Sequence, residues 1–113
     1  MNRIFVYGTL KQGQGNWNYL LKGHSLFMGE HTTEPMFTMV SLGGFPGVLP
    51  EGSTRIRGEV FEVDDTTMER VDRLEGYPSF YNRQQIETQF GPAWMYYLDD
   101  SYKGYPEVES GIW

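Results

Sequence analysis

The hydrophobic pattern changes period several times along the chain, and each change marks an element. Arg3–Tyr7 (RIFVY) is a continuous apolar run of β-branched and aromatic residues, which predicts a buried first strand. Asn16–Gly23 (NWNYLLKG) predicts a short helix. Asn16 would cap it, Trp17, Leu20 and Leu21 would share one face, and Gly23 would end it. SLFMGEHTT and MFTMVSL read as strands, with Pro35 near the turn between them. Gly43–Pro50 (GGFPGVLP) is dense in Gly and Pro and predicts a structured loop, with room for a very short strand. In Arg55–Val63 (RIRGEVFEV) the pattern sends Ile56, Val60, Phe61 and Val63 inward. Gly58 interrupts it, as at a bulge or a close backbone approach.

The clearest helix is Asp64–Gly76 (DDTTMERVDRLEG). Asp64, Asp65 or Thr66 can cap it, and Thr66 with Glu69 has capping-box spacing. Met68, Val71 and Leu74 fall on one face, and Gly76 is placed to be the left-handed residue after the helix. FYNRQQIETQF and AWMYYLDD then read as two strands joined by a hairpin at Gly91–Ala93. The tail is irregular, with Ile112 and Trp113 expected to pack. Strands joined by turns rather than helices predict an α+β fold. The expected form is a small mixed β-barrel with flanking short helices, in a single domain spanning residues 1–113.

Composition narrows the chemistry. Of 113 residues, 39% are hydrophobic and 16% aromatic, so rings should build much of the core. The net charge is −6 and no basic run exists, which argues against nucleic acid and against an anionic membrane. The absence of cysteine removes disulfides, thiolate metal sites and a cysteine nucleophile. His24 and His31 lack companions at metal-ligand spacing, so no metal is expected. No signal peptide or membrane-length apolar run is recognisable, which predicts a cytoplasmic location.

The glycine-rich loop after the first strand, in FVYGTLKQGQG, invites a phosphate reading that its residues refuse. Gly8 and Gly13 have P-loop spacing, but Gln14 and Gly15 stand where the lysine and hydroxyl should be. The dinucleotide fingerprint is missing too, so no cofactor is expected. The loop can be a plain tight turn, or its N–H groups can hold a carboxylate or a developing oxyanion.

Glu75 is the second candidate. It lies in the last turn of the predicted helix, where the helix end carries partial negative charge and a carboxylate is disfavoured. That placement raises its proton affinity, and burial would raise it further. The aromatic segment Gly76–Tyr81 (GYPSFY) is suited to walling a pocket around it. Such a carboxyl can serve as a general acid–base; alternatively it is an exposed partner of Arg73 or Arg83. Glu59 can be a strand-edge charge or a second pocket carboxylate.

Together, FVYGTLKQGQGN, SLGGFPGVLP, GEVFEVD and VDRLEGYPSFYNR, in this order and spacing, resemble the γ-glutamylcyclotransferase-like family over nearly the whole chain. The resemblance implies a cavity at the YGTL loop and a cofactor-independent lyase. Such enzymes cyclise a γ-glutamyl group to 5-oxoproline and release its amine or amino acid. It also implies Glu75 as the catalytic residue and Tyr7, Gly8, Thr9, Leu10 and Tyr81 as substrate-binding residues. The loop looks most like the subgroup acting on γ-glutamylamines such as ε-(γ-glutamyl)lysine. A monomer with a small-molecule partner is expected. The alternative is a non-catalytic binding or interaction module on the same fold.

Overall fold

A computed structural model describes all residues, Met1–Trp113. Seven strands and one regular α-helix make up the frame. The strands are β1 (Asn2–Val6), β2 (Ser25–Thr32), β3 (Phe37–Ser41), β4 (Pro46–Thr54), β5 (Arg57–Val63), β6 (Asn82–Thr88) and β7 (Gly91–Tyr97). The helix α1 (Asp65–Glu75) joins β5 to β6. Strands β2-β5-β1-β7-β6 form one sheet, and β3-β4 form a separate two-stranded sheet. Only the β1–β7 pair is parallel within the large sheet.

β1 lies at the centre, and both of its faces are covered. Ile4 and Val6 join one cluster of buried residues, which includes Leu20, Leu21, Met68 and Val71 from the helical side. Phe5 and Tyr7 join the other, with Met39, Val48, Val60 and Met95. A strand buried on both faces reads as an unbroken apolar run, as this one does. The same split runs through β5, where Val60 faces one cluster and Phe61 and Val63 the other. Burying a side chain such as Phe61 contributes about 1.5–3 kcal/mol.

The α+β class holds, but the barrel does not close. The two sheets share no ladder, and β2 and β6 remain edges of the larger one. One backbone bond, Leu98 N–H to Val48 O at 2.8 Å, bridges from beyond β7 to β4. Closure into a barrel needs continuous ladders around the circuit, which a single bond does not supply.

Local expectations meet different fates. Asp64 caps α1 by accepting from the Thr67 N–H at 2.8 Å, and Gly76 follows at φ 65° in the left-handed region. Gly58 is a close approach: a Cβ there would lie 2.3 Å from the Val6 carbonyl oxygen. The Trp17–Leu21 segment is a π-helical turn, closed by Lys22 N–H to Trp17 O at 2.9 Å. Asn16 makes no side-chain cap: its backbone is already helical, at φ −73° and ψ −30°, and its Nδ2 donates to Thr9 Oγ1 at 2.8 Å. The Gly43–Pro50 stretch, expected to be a loop with room for a very short strand, holds the first five residues of the nine-residue strand β4, which runs on to Thr54. Leu74 is 43% exposed rather than in the core, and Ile112 is exposed while Trp113 packs against the second cluster.

Candidate functional site

The chain leaves β1 at Val6 and immediately turns. Lys11 N–H bonds to Gly8 O at 3.0 Å, and Trp17 N–H returns to Thr9 O at 3.1 Å. These bonds, with the Asn16–Thr9 side-chain bond, fix the loop. The N–H groups of Gly8, Thr9 and Leu10 donate to no other protein group. Gly8 leaves no room for a side chain, since a Cβ would lie 2.8 Å from Pro46. This close packing joins the loop to the start of β4.

A cavity of about 330 Å³ opens beside this loop. Its wall includes Tyr7, Gly8, Thr9 and Leu10 from the loop, Glu75 from the last turn of α1 and Tyr81 from the segment after it. The six residues singled out in the sequence therefore share one cavity, although the two groups lie some 65 positions apart along the chain. The position of Glu75 follows from α1 ending there: Gly76 reverses the backbone, and Tyr81 N–H returns to Glu75 O at 3.3 Å.

Glu75 forms no ion pair. Arg83, one of its candidate partners, is bound instead to Asp72 at 2.8 Å. Burial, then the nearby Asp72 charge, pushes the Glu75 carboxyl up to about 7. Removing a charge from water and adding a like charge beside it both favour the protonated form. A group in this range can accept and return a proton at neutral pH.

Three phenols surround the carboxyl, and each has a defined task. Tyr7 Oη donates to Tyr96 O at 2.8 Å, and Tyr81 Oη donates to Pro46 O at 2.5 Å. Tyr96 Oη donates to Asp72 Oδ1 at 2.6 Å. Burial, above all, raises the proton affinity of all three, so they remain neutral donors.

Glu59 stands apart from the cavity wall; its Oε1 accepts the Gln12 N–H of the loop at 2.7 Å. Asp72 and Tyr96 were not among the residues singled out. Asp72 could have been found, because it lies three residues before Glu75 on the same helix and such pairs are neighbours. Tyr96 carried no comparable signal. Arg83, which links the two, is held between the rings of Tyr77 and Trp94 at 4.4 and 4.5 Å.

Comparison with known proteins places the chain in a family. The profile of the family described as gamma-glutamyl cyclotransferase, AIG2-like, matches residues 4–113. A Vibrio cholerae relative is 40% identical over 110 residues, covering 97% of this chain and 93% of its own. The solution structure of YtfP from Escherichia coli superposes with a TM-score of 0.77 at 36% identity, over 98% of this chain and 95% of that one. The crystal structure of an AIG2-like protein from Mus musculus gives 0.79 at 30% identity, over 97% and 87%. With the match running from β1 to the C-terminal residue and the fold shared at this identity, the chain belongs to the γ-glutamyl cyclotransferase, AIG2-like family.

Proposed function

We propose that this protein is a γ-glutamyl cyclotransferase with Glu75 as its acid–base, acting on γ-glutamylamines such as ε-(γ-glutamyl)lysine. The observation that carries the reading is one cavity lined both by a carboxyl raised to about 7 and by three loop residues whose backbone N–H groups have no protein acceptor.

The chemistry requires no protein nucleophile. The substrate's α-amine attacks its own γ-carbonyl carbon, forming the new C–N bond of a five-membered ring. Glu75 takes the proton that the attacking amine loses. The carbonyl oxygen becomes an oxyanion, which N–H groups of Gly8, Thr9 and Leu10 are suited to stabilise. Glu75 then gives its proton to the departing nitrogen as the original C–N bond breaks, leaving 5-oxoproline and a free amine. A single carboxyl serves both transfers because its proton affinity sits near neutrality.

Positioning supplies the remainder. Holding amine and carbonyl in contact lowers the barrier by up to roughly 7–11 kcal/mol. Tyr7 and Tyr81 form rigid walls for that purpose, since each hydroxyl is tied to backbone.

The test is incubation of the purified protein with a panel of γ-glutamyl amines and γ-glutamyl amino acids, reading 5-oxoproline. Turnover that disappears in a folded Glu75→Gln variant supports the reading. Absence of product from the whole panel, together with tight binding of another ligand, would favour a non-catalytic module.

A further inference from the structure

Asn16 gives its side chain to the loop rather than to the helical turn that follows it. Its Nδ2 donates to Thr9 Oγ1 at 2.8 Å, and the Trp17 N–H donates to Thr9 O at 3.1 Å. Thr9 is therefore tied twice, once at its carbonyl and once at its hydroxyl. Asn16 and Thr9 both line the cavity.

The sense of the Asn16–Thr9 bond decides what the hydroxyl can do. A hydroxyl has one proton to donate and two lone pairs that accept. Thr9 Oγ1 uses a lone pair on Asn16, and its own proton reaches no acceptor in the protein. The other three hydroxyls lining the cavity have theirs committed: Tyr7 to Tyr96 O, Tyr81 to Pro46 O and Tyr96 to Asp72 Oδ1. Thr9 is thus the one lining hydroxyl with a proton to give.

Its surroundings say what would take that proton. The N–H groups of Gly8, Thr9 and Leu10 also lack a protein acceptor, so the hydroxyl adds a fourth donor to one short loop. No Lys, Arg or His lines the cavity; Lys11 and Arg73 adjoin the lining residues Leu10 and Leu74 without lining it themselves. Donors gathered in this way suit an oxygen that carries negative charge.

We infer that Asn16 is a positioning residue. It holds the Thr9 hydroxyl with its proton turned to the substrate, as a donor to an anionic oxygen of the γ-glutamyl group. The inference rests on the cyclotransferase reading and adds to it a residue beyond Tyr7–Leu10. Two oxygens qualify, the α-carboxylate and the oxyanion that forms on the γ-carbonyl. The carboxylate is charged throughout, so a donor to it acts on KM. The oxyanion exists only near the transition state, so a donor to it acts on kcat.

A double-mutant cycle tests the inference, with ε-(γ-glutamyl)lysine and γ-glutamylalanine as probes and 5-oxoproline as the readout. Thr9→Val removes the hydroxyl and should lower kcat/KM by about tenfold, the equivalent of one hydrogen bond. Asn16→Leu keeps the size and removes the bond. It should cost about fivefold in the parent, less than about twofold in Thr9→Val, and about fivefold again in Thr9→Ser, which retains a hydroxyl. Loss carried by KM assigns the carboxylate and loss carried by kcat assigns the oxyanion; either supports the role of Asn16. In the ligand-free protein, one proton of the Asn16 side-chain amide should resonate downfield of the other and move on Thr9→Val. Equal losses from Asn16→Leu in the parent and in Thr9→Val, or an amide that Thr9→Val leaves unmoved, would overturn the inference alone. No 5-oxoproline from either probe would overturn the cyclotransferase reading, and the inference with it.

Discussion

Tyr96 Oη donates to Asp72 Oδ1 at 2.6 Å, and this bond joins the wall of the cavity to the carboxylate that sits behind Glu75. Asp72 also accepts two contacts from Arg83 Nη1, at 2.8 and 2.9 Å. The Asp72 charge is the second cause, after burial, of the raised proton affinity of Glu75. Asp72→Asn removes that charge while keeping the shape. The acid limb of the kcat/KM profile, near pH 7 in the parent, should move down by about one pH unit. Tyr96→Phe is the control: it removes a hydrogen bond worth about 1 kcal/mol of stability and leaves the limb in place. A profile unmoved by Asp72→Asn would separate Asp72 from the proton chemistry.

Glu75 itself should weaken the fold at high pH. Its carboxyl rises from 4.5 to about 7 on folding, chiefly through burial. The folded state then holds the proton more tightly than the unfolded one. Its contribution to stability is present below pH 4.5 and is lost as pH rises to 7. A displacement of this size is worth on the order of 3 kcal/mol. Gln cannot ionise, so Glu75→Gln should match the parent near pH 4 and melt higher at pH 8. Thermal melts across this range check it; parallel curves for both proteins would refute burial of the charge.

Gly58→Ala tests a reading that began as an interruption in a strand pattern. A Cβ at Gly58 would lie 2.3 Å from Val6 O and 2.8 Å from the Phe5 ring. Neither neighbour can yield, because one is backbone in the central strand and the other is fully packed. Overpacking of this kind costs about 1–3 kcal/mol. Chemical denaturation should show that loss as a lower midpoint with unchanged slope.

What could be read from the chain alone follows the range of the interaction. β1, α1 and the Gly76 reversal were legible because their signals are local: an apolar run, a cap, a residue able to take positive φ. Glu75 was legible because its misfit with the helix end is local too. The extent of strand β4 was hidden, since Pro46, Gly47 and Pro50 all carry turn signals. It forms because β3 supplies a partner and because Gly47 admits the Leu98 side chain where a Cβ would clash at 2.1 Å. The Tyr96–Asp72 bond spans 24 positions and the Asp72–Arg83 pair 11, so neither has a periodicity to reveal it. The barrel expectation failed for the same reason: strand character is local, but closure depends on which edges meet.

Glu59 decides whether the site holds one working carboxylate or two. It is the only acid besides Glu75 that both the sequence and the loop geometry bring into question. Its oxygen accepts the Gln12 N–H at 2.7 Å, which ties the outer part of the loop to β5. That task needs an acceptor and no charge. Gln retains an acceptor oxygen of the same reach, so Glu59→Gln should keep kcat within about threefold of the parent. Ala removes the acceptor and frees the loop that carries the Gly8–Leu10 N–H groups. Glu59→Ala should therefore raise KM by about tenfold, the equivalent of one hydrogen bond of about 1.4 kcal/mol, with a smaller change in kcat. A Glu59→Gln variant as inactive as Glu75→Gln would make Glu59 a second proton carrier. A variant with full kcat would leave Glu75 to carry both transfers, with Glu59 holding the loop in register.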